Sequence, residues 1–347
     1  MILVINSGSS SIKYKLFMKS NLKEIYSGIK EEITSHDEAI YYILKKLKSN
    51  NIIKSKEDID IVGHRVVHGG DYFKEAVKID NIVMDKISEL SSLAPLHNPA
   101  NLSGIKAVYE VFGDDIKQVA VFDTAFHQTI PSYASIYPLP YEYYEKYGVK
   151  KYGFHGTSHH YVAKQAAKQL GKKLEDTNLI TMHLGNGASV CAIKNGKSID
   201  TSMGFTPLEG LMMGTRCGNI DSSLVVYLEE KLNCTNDEMT TILNKQSGFK
   251  GLCGSSDLRE VISLAKKDDK KAKLAIDIFI YRIKEYIGSY LMILEDIDAI
   301  VFTGGIGENS SLVRDEICNT TDKFNLKHFV IHTDEELAIA ELSKEFI

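Results

Sequence analysis

The stretch His183–Arg216, HLGNGASVCAIKNGKSIDTSMGFTPLEGLMMGTR, decides how the rest of the chain is read. It follows an apolar run, Leu179-Ile180-Thr181-Met182, whose lack of charge predicts a buried strand. The run enters Gly185-Asn186-Gly187, where small residues let backbone approach something bulky. An alternating strand is expected over Ser189–Lys194, a tight turn at Asn195-Gly196, and another strand at Ser198-Ile199-Asp200. Two strands joined by a loop of Gly, Asn and Ser can converge free N–H groups on an anion, so the stretch reads as a phosphate cradle.

The pattern occurs a second time at the start of the chain. Ile2–Asn6 is an apolar run, Ser7–Ser11 a Gly/Ser loop, and Ile12–Phe17 an alternating strand carrying Lys13. Set side by side, LVINSGSSSIKYKLF and ITMHLGNGASVCAIK share strand, polar residue, Gly-rich turn and strand. Two copies of one hairpin imply a duplicated α/β domain with a cleft between the halves. The expected division is 1–150 and 151–332, with a last helix at about 333–347 packing back on the first half.

The chain has 347 residues, 44% hydrophobic and 25% charged, enough for two domains with proper cores. A net charge of -5 leaves no excess of Lys and Arg for a nucleic-acid backbone, though a few placed cations can still take a small anion. Five cysteines, an odd number without ligand spacing, point to a reducing compartment. No run reaches bilayer length, and a cytoplasmic location without membrane or nucleic-acid partners is expected.

Further punctuation lies along the chain. A strand at Ile59–Gly63 should deliver Arg65 and the Gly69-Gly70 pair near its C-terminal end, where open α/β sheets bind ligands. Asn98-Pro99 reads as N-cap and first residue of a helix ending at Gly113, which puts His97 at a helix N-terminus. Gln118–Phe122 is a buried strand from which Asp123 emerges, and a helix is expected from Ser158 to Leu170, just after His155. The His155, His159 and His160 spacing is not that of a zinc site. Ala299–Phe302 is a strand feeding a Gly304-Gly305-Ile306-Gly307 turn, and Asp334 and Glu335 open a last helix. Gly196-Lys197-Ser198 lacks the first glycine of a Walker A loop, because Cys191 stands there.

Taken in order, NSGSSSIKYKLF, GHRVVHGG, LAPLHNPANLSGI, VAVFDTAFHQTIP, YGFHGTSHHYV, HLGNGAS, DTSMGFTPLEGLMMGTR and FTGGIGEN resemble the acetate kinase family from residue 2 to about 340. The resemblance implies a duplicated ribonuclease-H-like (actin-like ATPase) fold. It also implies reversible transfer of the γ-phosphoryl group of ATP to acetate with Mg2+, or Mn2+ in its place, in a homodimer. Arg65 and Arg216 would fork onto carboxylate and phosphoryl oxygens, His155 and His97 would donate to the transition state, and Asp123 would orient its partners. Asn6 and Glu335 match the magnesium-associated positions. Ser9, Ser11, Lys13, His183, Leu184, Gly185, Asn186 and Gly187 match the phosphate loops, with Asp257, Leu258, Arg259, Gly304, Gly305, Ile306, Gly307 and Asn309 around the adenosine. Val67, Leu96, Phe154 and Pro207 match an apolar pocket for the acyl methyl.

Three departures from the family pattern stand out. Asn219 and Ser222 replace an aspartate and a proline after Arg216, Leu258 replaces an aromatic residue, and the segments before Arg65 and between Asn309 and Thr333 are short. The alternatives are a propionate kinase with the same machinery and a nucleotide-binding sensor that has lost the chemistry. A binder needs no carboxylate-directed arginines, which favours the enzyme.

Overall fold

The computed structural model describes residues 1–347, which divide into two units. The first comprises Met1–Gln128, Gly156–Tyr161 and Asp334–Ile347, the second Thr129–His155 and Val162–Thr333. In chain order the principal elements begin with β1 (Ile2–Ser7), β2 (Ser11–Phe17), β3 (Glu24–Glu31), α1 (His36–Ser49), β4 (Ile61–Val66), β5 (Val77–Lys78), α2 (Asn81–Glu89), α3 (Asn98–Phe112) and β6 (Lys117–Phe122). They continue with α4 (Ser132–Ser135), α5 (Tyr141–Tyr147), α6 (Gly156–Leu170), β7 (Leu179–Leu184), β8 (Ala188–Lys194), β9 (Lys197–Thr201), α7 (Ser222–Leu232), α8 (Asn236–Lys245), α9 (Gly248–Cys253), α10 (Leu258–Lys266) and α11 (Lys270–Leu294). The chain closes with β10 (Ala299–Thr303), α12 (Gly304–Asn309), α13 (Ser311–Thr321), β11 (Lys327–Val330) and α14 (Glu335–Lys344).

The two sheets repeat one plan. In the first the order is β3-β2-β1-β4-β6-β5, in the second β11-β10-β7-β8-β9. β1 runs antiparallel to β2 and parallel to β4; β7 runs antiparallel to β8 and parallel to β10. The hairpins read from sequence as repeats therefore occupy equivalent places, each beside a parallel strand that enters from later in the chain.

In the first unit, strand periodicity sorts side chains onto two faces. Leu3 and Ile5 pack with Ile40, Ile43 and Leu47 of α1 and Val108 of α3. Ile2 and Val4 turn the other way, with Val119, Val121 and Ile339 of α14. Burying a side chain such as Ile339 is worth about 1.5–3 kcal/mol, which ties the last helix to the first sheet. Gly63 permits the approach: a Cβ there would lie 2.4 Å from Ser343 Oγ and 2.8 Å from Ile339 Cγ2.

Two local expectations are corrected. α3 starts at Asn98 rather than after it, with His97 at the N-cap. The Asn98 side chain is engaged elsewhere, accepting from His68 N and donating to His68 O at 3.0 Å each. The glycines after β10 form the short helix α12 rather than an open turn. Its first amide, Gly304 N, donates to Glu308 Oε1 at 3.0 Å, so the helix's own carboxylate caps it.

Candidate active site

In the first unit the site grows from three adjacent parallel strands. Ile5 pairs with His64 and Arg65 with Val121, so Asn6, Arg65 and Asp123 sit at the C-terminal ends of β1, β4 and β6. Arg65 donates from Nε and Nη2 to both Asp123 carboxylate oxygens at 2.9 and 2.7 Å. Glu335, the first residue of α14, brings Oε2 to 3.6 Å from Arg65 Nε. Asp123 is only 2% exposed, so its charge depends on that guanidinium. Burial works against the Arg65 charge, but Asp123 and Glu335 outweigh it and raise the guanidinium above its ordinary value. Burial raises the Asp123 carboxyl, and Glu335 adds to the rise against the pull of Arg65.

Asn101, which nothing in the sequence singles out, and Asn98, read there only as a helix cap, hold the flanking segments. Asn101 accepts from Val67 N at 3.0 Å and donates to Ser7 O at 2.7 Å, and Asn98 clasps His68 as described. The available signal was two asparagines one helical turn apart on a face that is buried, Asn98 and Asn101. Gly156 N at the start of α6 donates to Asp123 O at 2.8 Å. In the first hairpin, Gly8 N closes on Ser11 O at 2.8 Å, with Ser9 exposed. Lys13 pairs with Glu336 at 2.7 Å. Val67 is buried and Leu96 exposed.

The second unit gathers a different set. Gly185 N donates to Gly187 O at 2.9 Å inside the β7–β8 loop, and Gly214 N donates to Asn186 O at 3.0 Å, which ties that loop to the segment bearing Arg216. His155 has a left-handed backbone, φ 58°, and its Nδ1 shares a hydrogen bond with Ser189 Oγ at 2.9 Å. Its ring stacks on His183 with centroids 4.3 Å apart. A Cβ at Gly187 would lie 3.4 Å from the His155 ring and 3.8 Å from Arg216 Nη1, so these side chains share one small volume. Arg216 donates to Pro207 O at 3.0 Å and touches Met213 Sδ at 3.7 Å, with no carboxylate partner. Burial lowers its guanidinium from the ordinary value. Phe154 is fully buried and Pro207 half-buried.

The residues matched to adenosine divide into two groups. Gly304–Asn309 follow β10, beside the loop after β7: a Cβ at Gly185 would lie 4.0 Å from Gly305 N. Asp257 caps α10 and is held down to about 2 by hydrogen bonds from Arg259, whose side chain is 92% exposed. Leu258 between them turns inward and is buried. Apart from all these residues, a surface cavity of about 490 Å³ lies among α10, α11 and α13, lined by Ile276, Ile280, Tyr281 and Leu312.

No group of three His, Cys, Asp or Glu residues could hold a metal ion on protein ligands alone. The histidines after His155 are otherwise engaged, His159 edge-on to His127 and His160 stacked on Phe126. Asn6 and the Glu335 carboxylate offer a sparse set of oxygens. Such a set fits a magnesium ion that keeps most of its waters and arrives on nucleotide phosphates.

Comparison with known proteins follows the same lines. The profile of the Acetokinase family matches residues 27–340. An acetate kinase from Thermotoga maritima is 47% identical over 397 aligned positions, covering 100% of this chain and 98% of that protein. One from Bacillus mycoides is 51% identical over 339 positions, covering 91% of this chain and 85% of the other. Among solved structures, Porphyromonas gingivalis acetate kinase superposes with a TM-score of 0.94 at 40% identity, covering 99% and 98% of the two chains. A propionate kinase from Francisella tularensis gives 0.94 at 42% identity, covering 100% and 99%. A ROK family protein from Streptococcus pneumoniae, 13% identical with a TM-score of 0.50 over 99% and 97% of the chains, shares the actin-like ATPase fold. The chain belongs to the acetate kinase family, whose members are phosphotransferases with a carboxyl group as acceptor.

Proposed function

We propose that the protein transfers the γ-phosphoryl group of ATP to acetate, reversibly, giving acetyl phosphate and ADP. The observation that carries this reading is Arg216, a largely buried guanidinium beside His155 with no carboxylate to neutralise it. A cation so placed gains most when an anion arrives, and charge developing on a phosphoryl group in flight is such an anion. Arg65 is suited to a different task, since Asp123 and Glu335 already fix its plane and it can present a preset fork to the acceptor carboxylate. His155, oriented through Ser189, would donate to an equatorial oxygen, with His97 at the start of α3 as a second donor. The loops after β1 and β7 and the start of α12 would supply backbone amides to the phosphates, and Asp257 and Arg259 would border the adenosine.

Asn6 and Glu335 would hold magnesium through its waters, and the ion would supply charge neutralisation at the phosphates. Because the transition state is loose, what remains for the protein is positioning and the exclusion of water. Val67 and Leu96 in the first unit, and Phe154 and Pro207 in the second, are the apolar residues matched to the acyl methyl. An apolar pocket separates homologues by only about 1–3 kcal/mol per methylene, so activity on propionate is expected. The likeness to a propionate kinase at 42% identity supports propionate as the second reading.

We place the enzyme in the cytoplasm, where its five unpaired cysteines suit a reducing milieu. No helix is long and apolar enough to cross a membrane. A homodimer completes the reading: α7 buries none of its residues and exposes the large apolar side chains of Val226, Tyr227 and Leu232, which a second copy would cover in part.

Trapping acyl phosphate as the hydroxamate, with Mg-ATP and acetate, propionate or butyrate, tests the assignment. Highest turnover on acetate, lowered about a hundredfold or more by Arg216→Ala, is the expected result. ATP binding without product from any of the three acids would overturn it.

A further inference from the structure

Asn219 stands where the family pattern has an aspartate, and the structure gives its amide two partners. Gly210 N donates to Asn219 Oδ1 at 2.8 Å, and Asn219 Nδ2 donates to Tyr286 Oη, on the long helix α11, at 2.8 Å. The backbone adds a third bond, Asn219 N to Gly210 O at 2.9 Å. Together they close the segment Gly210–Asn219 at its base and pin that base to α11. Arg216 lies within the closed segment, three residues from the staple.

The rest of the segment is held as tightly on the other side. Met213 N donates to Arg216 O at 3.1 Å and Cys217 N to Leu243 O at 3.0 Å. Gly218, at φ 70°, has Leu211 O and Gly210 O within 2.5–2.6 Å of where a Cβ would stand, so the chain crosses itself here backbone on backbone. Beyond these ties, the Arg216 guanidinium is anchored by Pro207 O and the Met213 thioether alone. An arginine without a carboxylate to set its plane takes its aim from the backbone that carries it.

We propose that Asn219, stapled to Tyr286, is a positioning residue that sets the aim of Arg216. This rests on the phosphoryl-transfer reading for its kinetic consequence but not for its structural one. The chemistry also accounts for the departure from aspartate. The Gly210 N–H demands an acceptor on one oxygen, and the other position meets a phenol, which can either accept or donate. Asparagine donates to it; an aspartate would accept from it, keeping both bonds while placing a negative charge in the Arg216 segment.

The test compares Asn219→Ala, Asn219→Asp and Tyr286→Phe in the full chain, by hydrogen exchange over residues 210–219 and by kinetics with Mg-ATP and acetate. Asn219→Ala should exchange faster across the segment and lose about ten- to a hundredfold in kcat, with KM for ATP and the urea midpoint unmoved. Asn219→Asp should restore protection and at least half of kcat, and Tyr286→Phe should fall between. Unchanged exchange in Asn219→Ala, or faster exchange with unchanged kcat, would overturn the proposal. If the wild-type protein makes no acyl phosphate, the phosphoryl-transfer reading fails instead. Exchange together with the rate at which phenylglyoxal modifies Arg216 then decides the positioning claim, and equal rates in wild type and Asn219→Ala would sink it.

Discussion

Arg65 and Arg216 are the same residue in opposite electrostatic circumstances. The first is gripped by the buried Asp123 and flanked by Glu335; the second has a backbone carbonyl and a thioether. A paired arginine is part of the fold, because the carboxylate opposite could not stay charged without it. An unpaired one is carried by the fold at some cost, and recovers that cost when an anion binds. The difference separates a group whose loss strands a buried carboxylate from one whose loss strands none.

The largest effects should come from removing each arginine in turn. Arg216→Ala should lower kcat for acetyl phosphate formation by about a hundred- to a thousandfold, the scale of losing one transition-state donor. Arg65→Ala should lower activity comparably, so hydroxamate assays will not tell the two apart. Urea unfolding will. Removing Arg65 strands the 2%-exposed Asp123 and should cost about 3 kcal/mol, discounted because Arg65 itself is 21% exposed. Removing Arg216 should leave stability equal or slightly higher. Equal destabilisation by both would erase the contrast.

Acid should separate the two units next. His64 on β4 is buried against Gln118 Oε1 at 2.6 Å, and burial depresses its pKa from 6.5 to about 4. As pH falls through 6.5 the unfolded chain takes up the proton first. Stability is therefore full above that value and declines until about pH 4, by roughly 3 kcal/mol. β10, the equivalent strand of the second unit, has no titratable residue, and His328 on its neighbour β11 is only partly buried, so amide exchange should quicken in the first unit first. His64→Gln should flatten that slope. The smallest effect is the sharpest: Ser189→Ala removes the hydrogen bond at His155 Nδ1 and should cost about three- to tenfold in kcat, near 1 kcal/mol, with stability unchanged.

Much of this was legible in the sequence for definite reasons. The two hairpins announce themselves by an apolar run meeting glycine, and Asn195 and Gly196 both take the positive φ that the turn residues promise. Arg65 and Asp123 are exposed to inference because Asp123 follows the apolar end of one strand and Arg65 stands near the end of another, just before paired glycines. Pairings between distant segments were not legible: nothing local to Lys13 says that Glu336 will meet it, nor to Asn101 that it will bind loops after two different strands. Such contacts are settled by topology, which periodicity does not encode. The chain's economy also shows only in comparison, since 397 aligned positions are needed to match its 347 residues to a relative.

The return of α14 to the first sheet bears on the order in which the protein can be made. Lys15 and Asp334, in contact at 2.9 Å, lie 319 residues apart in sequence. Synthesis from the N-terminus therefore exposes β1 and β4 to the cell long before Ile339 arrives to cover one face of them. The second unit lies almost wholly between those events and can fold while the first waits. A nascent chain of this protein should need shelter for its opening sheet until α14 has emerged, and the carboxylate of Glu335 reaches Arg65 only then.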